Sequence, residues 1–303
     1  MTSARVIFFT LQMAELLKGN FPENKDDFRV IALDLDGTLL NSDKNISDRN
    51  KMALRQAQQE GFSVVIATGR HPNSTLRYMQ ELDCLNDRAY AVCFNGSAVV
   101  SLSEYAKAHS YVNYPVIDSK TAPGSLIKEI ASLAHDYGCH VHGYSKQRGL
   151  VVETVNKHSL REITHNDVSY EIVDFSKCAD DEPFYKLLIA GDSSALDALR
   201  PTIPKVLQEN FNIVRSDSDF LEFIAQRSTK GTALKALCSM LGCQVSQAIA
   251  FGDGENDLDM LRTAGMGVGM ANAQQIVLDN VSYVTLSNDD DGVASVVEHF
   301  LKG

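Results

Sequence analysis

Val30-Ile31-Ala32-Leu33 runs directly into Asp34-Leu35-Asp36-Gly37-Thr38. The short apolar run reads as a buried strand, and two carboxylates stand at its exit. Burying like charges costs several kcal/mol each unless something compensates them. The two-residue period of a strand turns both acids toward one side, so they can address one site. Gly37 lets the chain turn sharply just beyond them. A divalent cation would compensate the pair. A solvated turn of the Asx type is the alternative while these residues stand alone.

Working outward, the same grammar repeats. A helix is predicted over 48–60, with Ser47 as its N-cap and Gly61 as its stop. Val64-Val65-Ile66-Ala67 ends at Thr68-Gly69-Arg70, and Ala91-Val92-Cys93-Phe94 ends at Asn95-Gly96. Strand, helix and strand within about 40 residues is a parallel crossover unit. Near the C-terminus, helices are expected at 230–242, 256–264, 273–279 and 291–301. Strands are expected at 248–251, 266–269 and 282–285. Ser228 or Thr229 would open the first of these helices. Continuous apolar strands alternating with helices imply a parallel sheet covered on both faces.

The middle of the chain reads differently. Its strand candidates, 111–114, 140–144 and 149–153, carry aromatics and alternate, as a half-solvated sheet would. Helices are expected at 123–137 and 194–209, and a hairpin at 211–223. The fold class is therefore α/β: a Rossmann-like, doubly wound parallel core with an inserted α+β cap. The expected division is an N-terminal extension at 1–29, a core at 30–98 and 227–303, and the insertion at 99–226.

Composition narrows the function. The chain has 303 residues with 28 Lys and Arg against 39 Asp and Glu, a net charge of −11. An acidic chain without a basic run is a poor nucleic-acid binder. No stretch is long and apolar enough for a membrane span. Val6-Ile7-Phe8-Phe9-Thr10-Leu11 has the flavour of a signal peptide, but Gln12 and Glu15 interrupt it, and a helical extension is the preferred reading. The six cysteines, Cys84, Cys93, Cys139, Cys178, Cys238 and Cys243, include no Cys-x-x-Cys pair. Reduced thiols in a cytoplasmic protein fit them, and a zinc site does not. The expected state is a monomer or small homo-oligomer.

Ligands of open α/β sheets sit beyond the carboxyl ends of the strands. Here those ends carry Asp34, Asp36, Thr68, Asn95 and Asp253. Gly252-Asp253-Gly254-Glu255-Asn256-Asp257 adds further carboxylates around a glycine turn. Asp257 alone could be an acid favoured by a helix dipole. With Asp34 and Asp253 it makes an oxygen-rich, sulfur-free set suited to Mg²⁺. Lys230 at a helix N-terminus opposes the dipole unless an anion lies beside it; a surface lysine is the alternative. Thr68 and the amides after it suit a phosphate oxygen. Arg70 either binds substrate or pairs with an acid.

These ordered segments resemble the haloacid dehalogenase (HAD) superfamily of phosphatases: Asp34-Leu35-Asp36-Gly37-Thr38, Ala67-Thr68-Gly69-Arg70, Lys230-Gly231 and Gly252–Asp257. Gly265-Met266-Gly267-Val268-Gly269-Met270-Ala271-Asn272-Ala273 is similar to the Cof-type subgroup. The resemblance covers residues 30–303. It implies that Asp34 is the nucleophile, forming a phosphoaspartate, and that Asp36 is the general acid and base. It implies that Thr68, Gly69, Lys230 and Asn256 bind the phosphoryl group. It implies Mg²⁺ held by Asp34, the Asp36 carbonyl and Asp253, with Asp257 behind them. About 160 residues separate Arg70 from Lys230, room for the α/β (C2-type) cap of this subgroup.

In the insertion, Asn95 at its entry, His142, Tyr144 and Arg148 are candidate substrate contacts. His135, His140 and His142 are read as cap packing or substrate contacts rather than a metal site. Asp289-Asp290-Asp291 is read as N-capping the last helix. The expected activity is Mg²⁺-dependent hydrolysis of a small phosphorylated metabolite, foremost a sugar phosphate. A nucleotide, flavin or pyridoxal phosphatase is the alternative within the enzyme class. A non-catalytic phosphate-binding regulatory module is the alternative outside it.

Overall fold

A computed structural model describes residues 27–302 apart from 109, 111 and 113. The expected extension lies outside these residues up to 26. Residues 28 and 29 already belong to the core: Phe28 is buried edge-on against Phe300, with ring centroids 5.3 Å apart, and the Arg29 amide donates to the Gln247 carbonyl.

The chain divides into two units. Of the described residues, one comprises 27–68, Tyr78–Val92 and 229–302; the other comprises Gly69–Arg77 and Cys93–Ser228. The second unit thus takes in the residues expected as an insertion at 99–226, and adds the turn after Thr68 and the segment around Asn95.

In the first unit, parallel strands run in the order Tyr283–Val284, Met266–Gly269, Ala248–Gly252, Val30–Leu33, Ser63–Ala67 and Tyr90–Cys93. Val30–Leu33 is fully buried, as a central parallel strand must be. Successive crossovers leave the centre in opposite directions, so right-handed winding puts their helices on opposite faces. The reversal falls between Val30–Leu33 and Ala248–Gly252, where such sheets open a crevice. Asp48–Gln59 begins where Ser47 accepts a hydrogen bond from the Asn50 amide, and Gly61 beyond its end takes a φ of +96°.

In the second unit, strands run in the order Phe211–Asp217, Phe220–Ala225, Pro183–Ala190, His140–Ser145, Gly149–Val152 and Tyr170–Ile172. All pairs are antiparallel except the last. One sheet face packs Leu187, Ile189, Val141 and Phe223 against Ile127, Ile130 and Ala134 of helix Gly124–Asp136. The other face is not solvated, contrary to the alternating pattern's suggestion. His142, Tyr144, Lys186 and Glu222 on it are at most 6% exposed; Lys186 pairs with Glu222, and Tyr144 donates to Glu162.

Two local expectations change. The single helix at 194–209 is two, Ser193–Leu199 and Lys205–Asn210, broken where Pro201 and Pro204 cannot continue an α-helical ladder. Of the strand expected at 111–114, residues 111 and 113 lie outside the described set, and Val112 and Tyr114 are not in a strand.

Candidate active site

Sheet register brings the acidic segments level. Leu33 lies opposite both Phe251 and Ile66, so Asp34 leaves the sheet beside Gly252 and Ala67. The Asp34 amide still bonds the Phe251 carbonyl at 3.1 Å, and the Thr68 amide bonds the Val92 carbonyl at 2.8 Å. Thr68 is 2% exposed. Strand pairing, with no help from side chains, therefore fixes where the acids and the threonine emerge.

Helix Lys230–Met240 supplies the cation. Thr229 caps it, accepting from the Thr232 amide at 3.0 Å, and its own hydroxyl donates to the Asp259 carboxylate. Gly231 lets Asp259 sit against the helix start, because a Cβ there would collide with the Asp259 backbone. Lys230 is fully buried, and its Nζ donates to Asp34 Oδ1 at 2.5 Å and to Asp257 Oδ1 at 2.6 Å. The surface-lysine alternative is therefore excluded. Burial alone would lower its pKa, but the Asp257 and Asp34 carboxylates outweigh that and hold it charged.

Asp257 does two jobs. Its second oxygen accepts the amides of Asp253 and Gly254, both at 3.0 Å, closing the glycine turn. Asp253 accepts from the Thr38 hydroxyl at 2.9 Å. Gly37, with φ +81°, gives Asp253 the space that any Cβ at residue 37 would occupy. The Asn272 amide holds the Gly37 carbonyl at 2.8 Å. Thr38 and Asn272 are site-building residues that the spacing argument gave no role, although both stand inside the segments it singled out.

Carboxylate oxygens of Asp34, Asp253 and Asp257 all lie within 4.8 Å of one another. Against them stands the Lys230 ammonium, so the formal sum is −3 + 1 = −2. The electrostatics reflect this excess. Burial pushes the Asp34 carboxyl well above its usual range, more than Lys230 can offset, and Asp257 and Asp253 add to the rise. Asp253 is pushed up to about 6 by burial and by Asp257. A donor set of carboxylate oxygens with unmet negative charge fits a hard divalent cation such as Mg²⁺.

Asp36 stands apart from this cluster. Its carboxylate pairs with Lys44 at 2.9 Å, and 37% of the side chain is exposed. Its carboxylate is thus in reach of water rather than part of the buried cluster. Asn256 is half-buried in the 3₁₀ turn Glu255–Asp257 that precedes helix Leu258–Thr263, where one helix over 256–264 was expected.

The remaining candidates fall in the second unit. Arg70 is 8% exposed, and its carbonyl accepts the Phe94 amide at 3.2 Å. Asn95 donates to Glu222 Oε2 at 3.0 Å. Tyr144 is buried and donates to Glu162 at 2.8 Å. Arg148 grips Glu182 with two bonds of 2.8 Å. Its guanidinium is thereby bound within the second unit's own framework. His142 is fully buried with neither ring nitrogen bonded among the described residues, and burial lowers its pKa to about 4. His135 pairs with Glu153 at 2.7 Å. Among the described residues the histidines join no metal-sized cluster. In the first unit, Asp289 accepts the Ser42 amide and hydroxyl, both at 2.7 Å, so it ties down a loop where a helix cap was expected.

Residues 31–297 match the family model of haloacid dehalogenase-like hydrolases. The 5-amino-6-(5-phospho-D-ribitylamino)uracil phosphatase YcsE of Bacillus subtilis is 30% identical over 278 residues, covering 91% of this chain and 96% of that protein. Phosphatase YwpJ of Bacillus subtilis is 30% identical over 295 residues, covering 90% and 100%. A crystal structure of a haloacid dehalogenase-like hydrolase from Bacteroides thetaiotaomicron superposes with a TM-score of 0.77 at 31% identity, covering 89% and 98%. These matches place the chain in the haloacid dehalogenase-like hydrolase family, among its phosphatases.

Proposed function

We propose that the protein is a Mg²⁺-dependent phosphatase of a small phosphorylated metabolite, working through a phosphoaspartate on Asp34. The observation that carries this reading is Lys230. It is buried between Asp34 and Asp257, 2.5 and 2.6 Å away, with Asp253 in the same cluster. A lysine so placed aims one oxygen of Asp34 and leaves the local charge negative enough to require a second cation.

The Asp34 carboxylate attacks phosphorus in line with the leaving oxygen, whose bond to phosphorus breaks. Asp36 gives that oxygen its proton, then takes one from the water that attacks the aspartyl phosphate and releases inorganic phosphate. Thr68, the Gly69 amide, Lys230 and Asn256 hold the equatorial oxygens. Asp34, the Asp36 carbonyl and Asp253 would hold Mg²⁺, with Asp257 orienting them. Mg²⁺, when bound, draws negative charge off the transferring phosphoryl group. The second unit serves as the cap that chooses the leaving group.

For the substrate we favour a sugar phosphate or related polyol phosphate. The relative YcsE is named for a phosphate ester on a ribityl chain, which supports this class and keeps a flavin-pathway phosphate as the second reading. Six free cysteines support a reducing, cytoplasmic setting. Acting as a monomer or small homo-oligomer, the enzyme would need neither nucleic acid nor membrane.

The test is turnover of p-nitrophenyl phosphate with Mg²⁺ and with chelator, followed by a panel of phosphorylated sugars, polyols, nucleotides and pyridoxal phosphate. Metal-dependent release of phosphate, strongest on sugar or polyol esters, is expected. Phosphate binding without turnover on any ester would make the protein a binding module instead.

A further inference from the structure

We propose that Lys186 and Glu222, deep in the second unit, are positioning residues for the phosphate-binding turn Thr68-Gly69-Arg70. This rests on the reading above that the turn holds the phosphoryl group.

Lys186 stands on strand Pro183–Ala190 and is 4% exposed. Its Nζ donates to the Gly69 carbonyl at 3.2 Å and to Glu222 Oε1 at 3.0 Å, and lies 3.8 Å from Glu162. Burial would lower its pKa, but Glu222 and Glu162 outweigh that and hold the ammonium charged. The other oxygen of Glu222 accepts from Asn95, whose amide lies against Gly69 so closely that a Cβ there would sit 3.0 Å from it. A buried charge has thus been placed against one particular backbone carbonyl, and it is costly to maintain without purpose.

The peptide group explains the purpose. The Gly69 carbonyl and the Arg70 N–H share one planar trans unit and point in opposite directions. Pinning the carbonyl to Lys186 fixes the direction of that N–H and of the turn that follows Thr68. The opposing side of the turn is held under strain. Phe94 and Asn95 take φ of +52° and +54°, a conformation costing non-glycine residues about 1–2 kcal/mol each. The Asn95–Glu222 bond, the Phe94 amide on the Arg70 carbonyl at 3.2 Å and the stacking of Phe94 on Tyr185 at 5.2 Å hold it there. Strain retained by a satisfied buried network marks a position that the fold over-determines.

The test uses the full chain with Mg²⁺. It reads inorganic phosphate binding by calorimetry, and turnover of one sugar phosphate and one aryl phosphate. Lys186→Met loses the donor; Lys186→Gln keeps a donor without the charge. Lys186→Met should weaken phosphate binding about tenfold, the scale of one hydrogen bond. It should also lower kcat/KM for both esters by the same factor. Lys186→Gln should stay within about threefold on the same scale. The double variant Lys186→Met/Glu222→Gln, which leaves one fewer unpaired carboxylate, should match Lys186→Met. Equal behaviour of Met and Gln, or unchanged phosphate binding in the double variant, would overturn the inference. Unequal losses on the two esters would also overturn it, making Lys186 a leaving-group contact. A wild type that binds phosphate but hydrolyses neither ester would sink the hydrolytic reading alone, and the binding comparison would still decide this one.

Discussion

Each unit buries a lysine between two carboxylates, and the two sites are electrostatic opposites. In the first, Lys230 faces Asp34 and Asp257 with Asp253 close by, and Asp34 is driven well above its usual range. In the second, Lys186 faces Glu222 and Glu162. Burial pushes Glu162 up, but Lys186 and the Tyr144 hydroxyl outweigh it and hold it below its usual range. The difference is the number of acids gathered around each ammonium. The second unit gives its carboxylates an Asn95 amide and a Tyr144 hydroxyl beside the ammonium. The first sets three carboxylates around one ammonium; Thr38 and two backbone amides serve Asp253 and Asp257, but the negative charge stays in excess. Excess negative charge at strand ends marks a place suited to a cation. Anionic demand met inside a sheet marks a brace.

The largest expected effect breaks the first site without breaking the fold. Asp34→Asn should reduce turnover by at least about 10⁴-fold, as loss of a covalent nucleophile does. Its circular dichroism spectrum should stay native, and substantial residual activity would remove Asp34 from its role. Asp36→Asn should slow turnover by roughly 10²–10⁴. Because Asp36 lies outside the carboxylate cluster, its Mg²⁺ affinity should hold, which titration calorimetry would read.

The third prediction sets the lysines against each other. Lys230→Met and Lys186→Met should each lose on the order of 3–5 kcal/mol in urea unfolding of the metal-free chain. Mg²⁺ should restore much of the loss at Lys230 and little at Lys186. Equal rescue would erase the distinction. The smallest effect is one of pH. Asp253 releases its proton near 3.8 when unfolded and near 6 in the folded, metal-free chain. The folded state therefore binds the extra proton inside that window, and this contribution to stability falls as pH rises through it. Mg²⁺ should flatten the slope, and Asp253→Asn should remove it.

The core was legible because its signals are local. Asp34-Leu35-Asp36-Gly37 and Gly252-Asp253-Gly254 follow apolar runs, and parallel pairing brings such strand ends together. The brace in the second unit left no comparable signature. Lys186 and Glu222 are 36 residues apart, and Asn95 and Glu222 are 127 apart, with no motif around any of them. Sheet register alone brings them together. The alternating strands of that unit suggested solvent on one face for the same reason. A polar residue paired inside a fold cannot be told from a wet one by pattern. Pro201 and Pro204 are breakers inside 194–209 that a single-helix reading overlooks.

His142 gives the second unit a weakness that the first lacks. Its ring takes up a proton near pH 6.5 in an unfolded chain but resists doing so until about 4 in the fold, because burial disfavours the charge. Acidification between those values therefore favours the opened chain there. Over part of the same interval Asp253 pulls the first unit the other way. As a compartment acidifies, amide exchange should quicken first in strands His140–Ser145 and Pro183–Ala190, while the sheet around Asp34 stays closed. Acid unfolding of this protein would begin in the second unit and reach the first last.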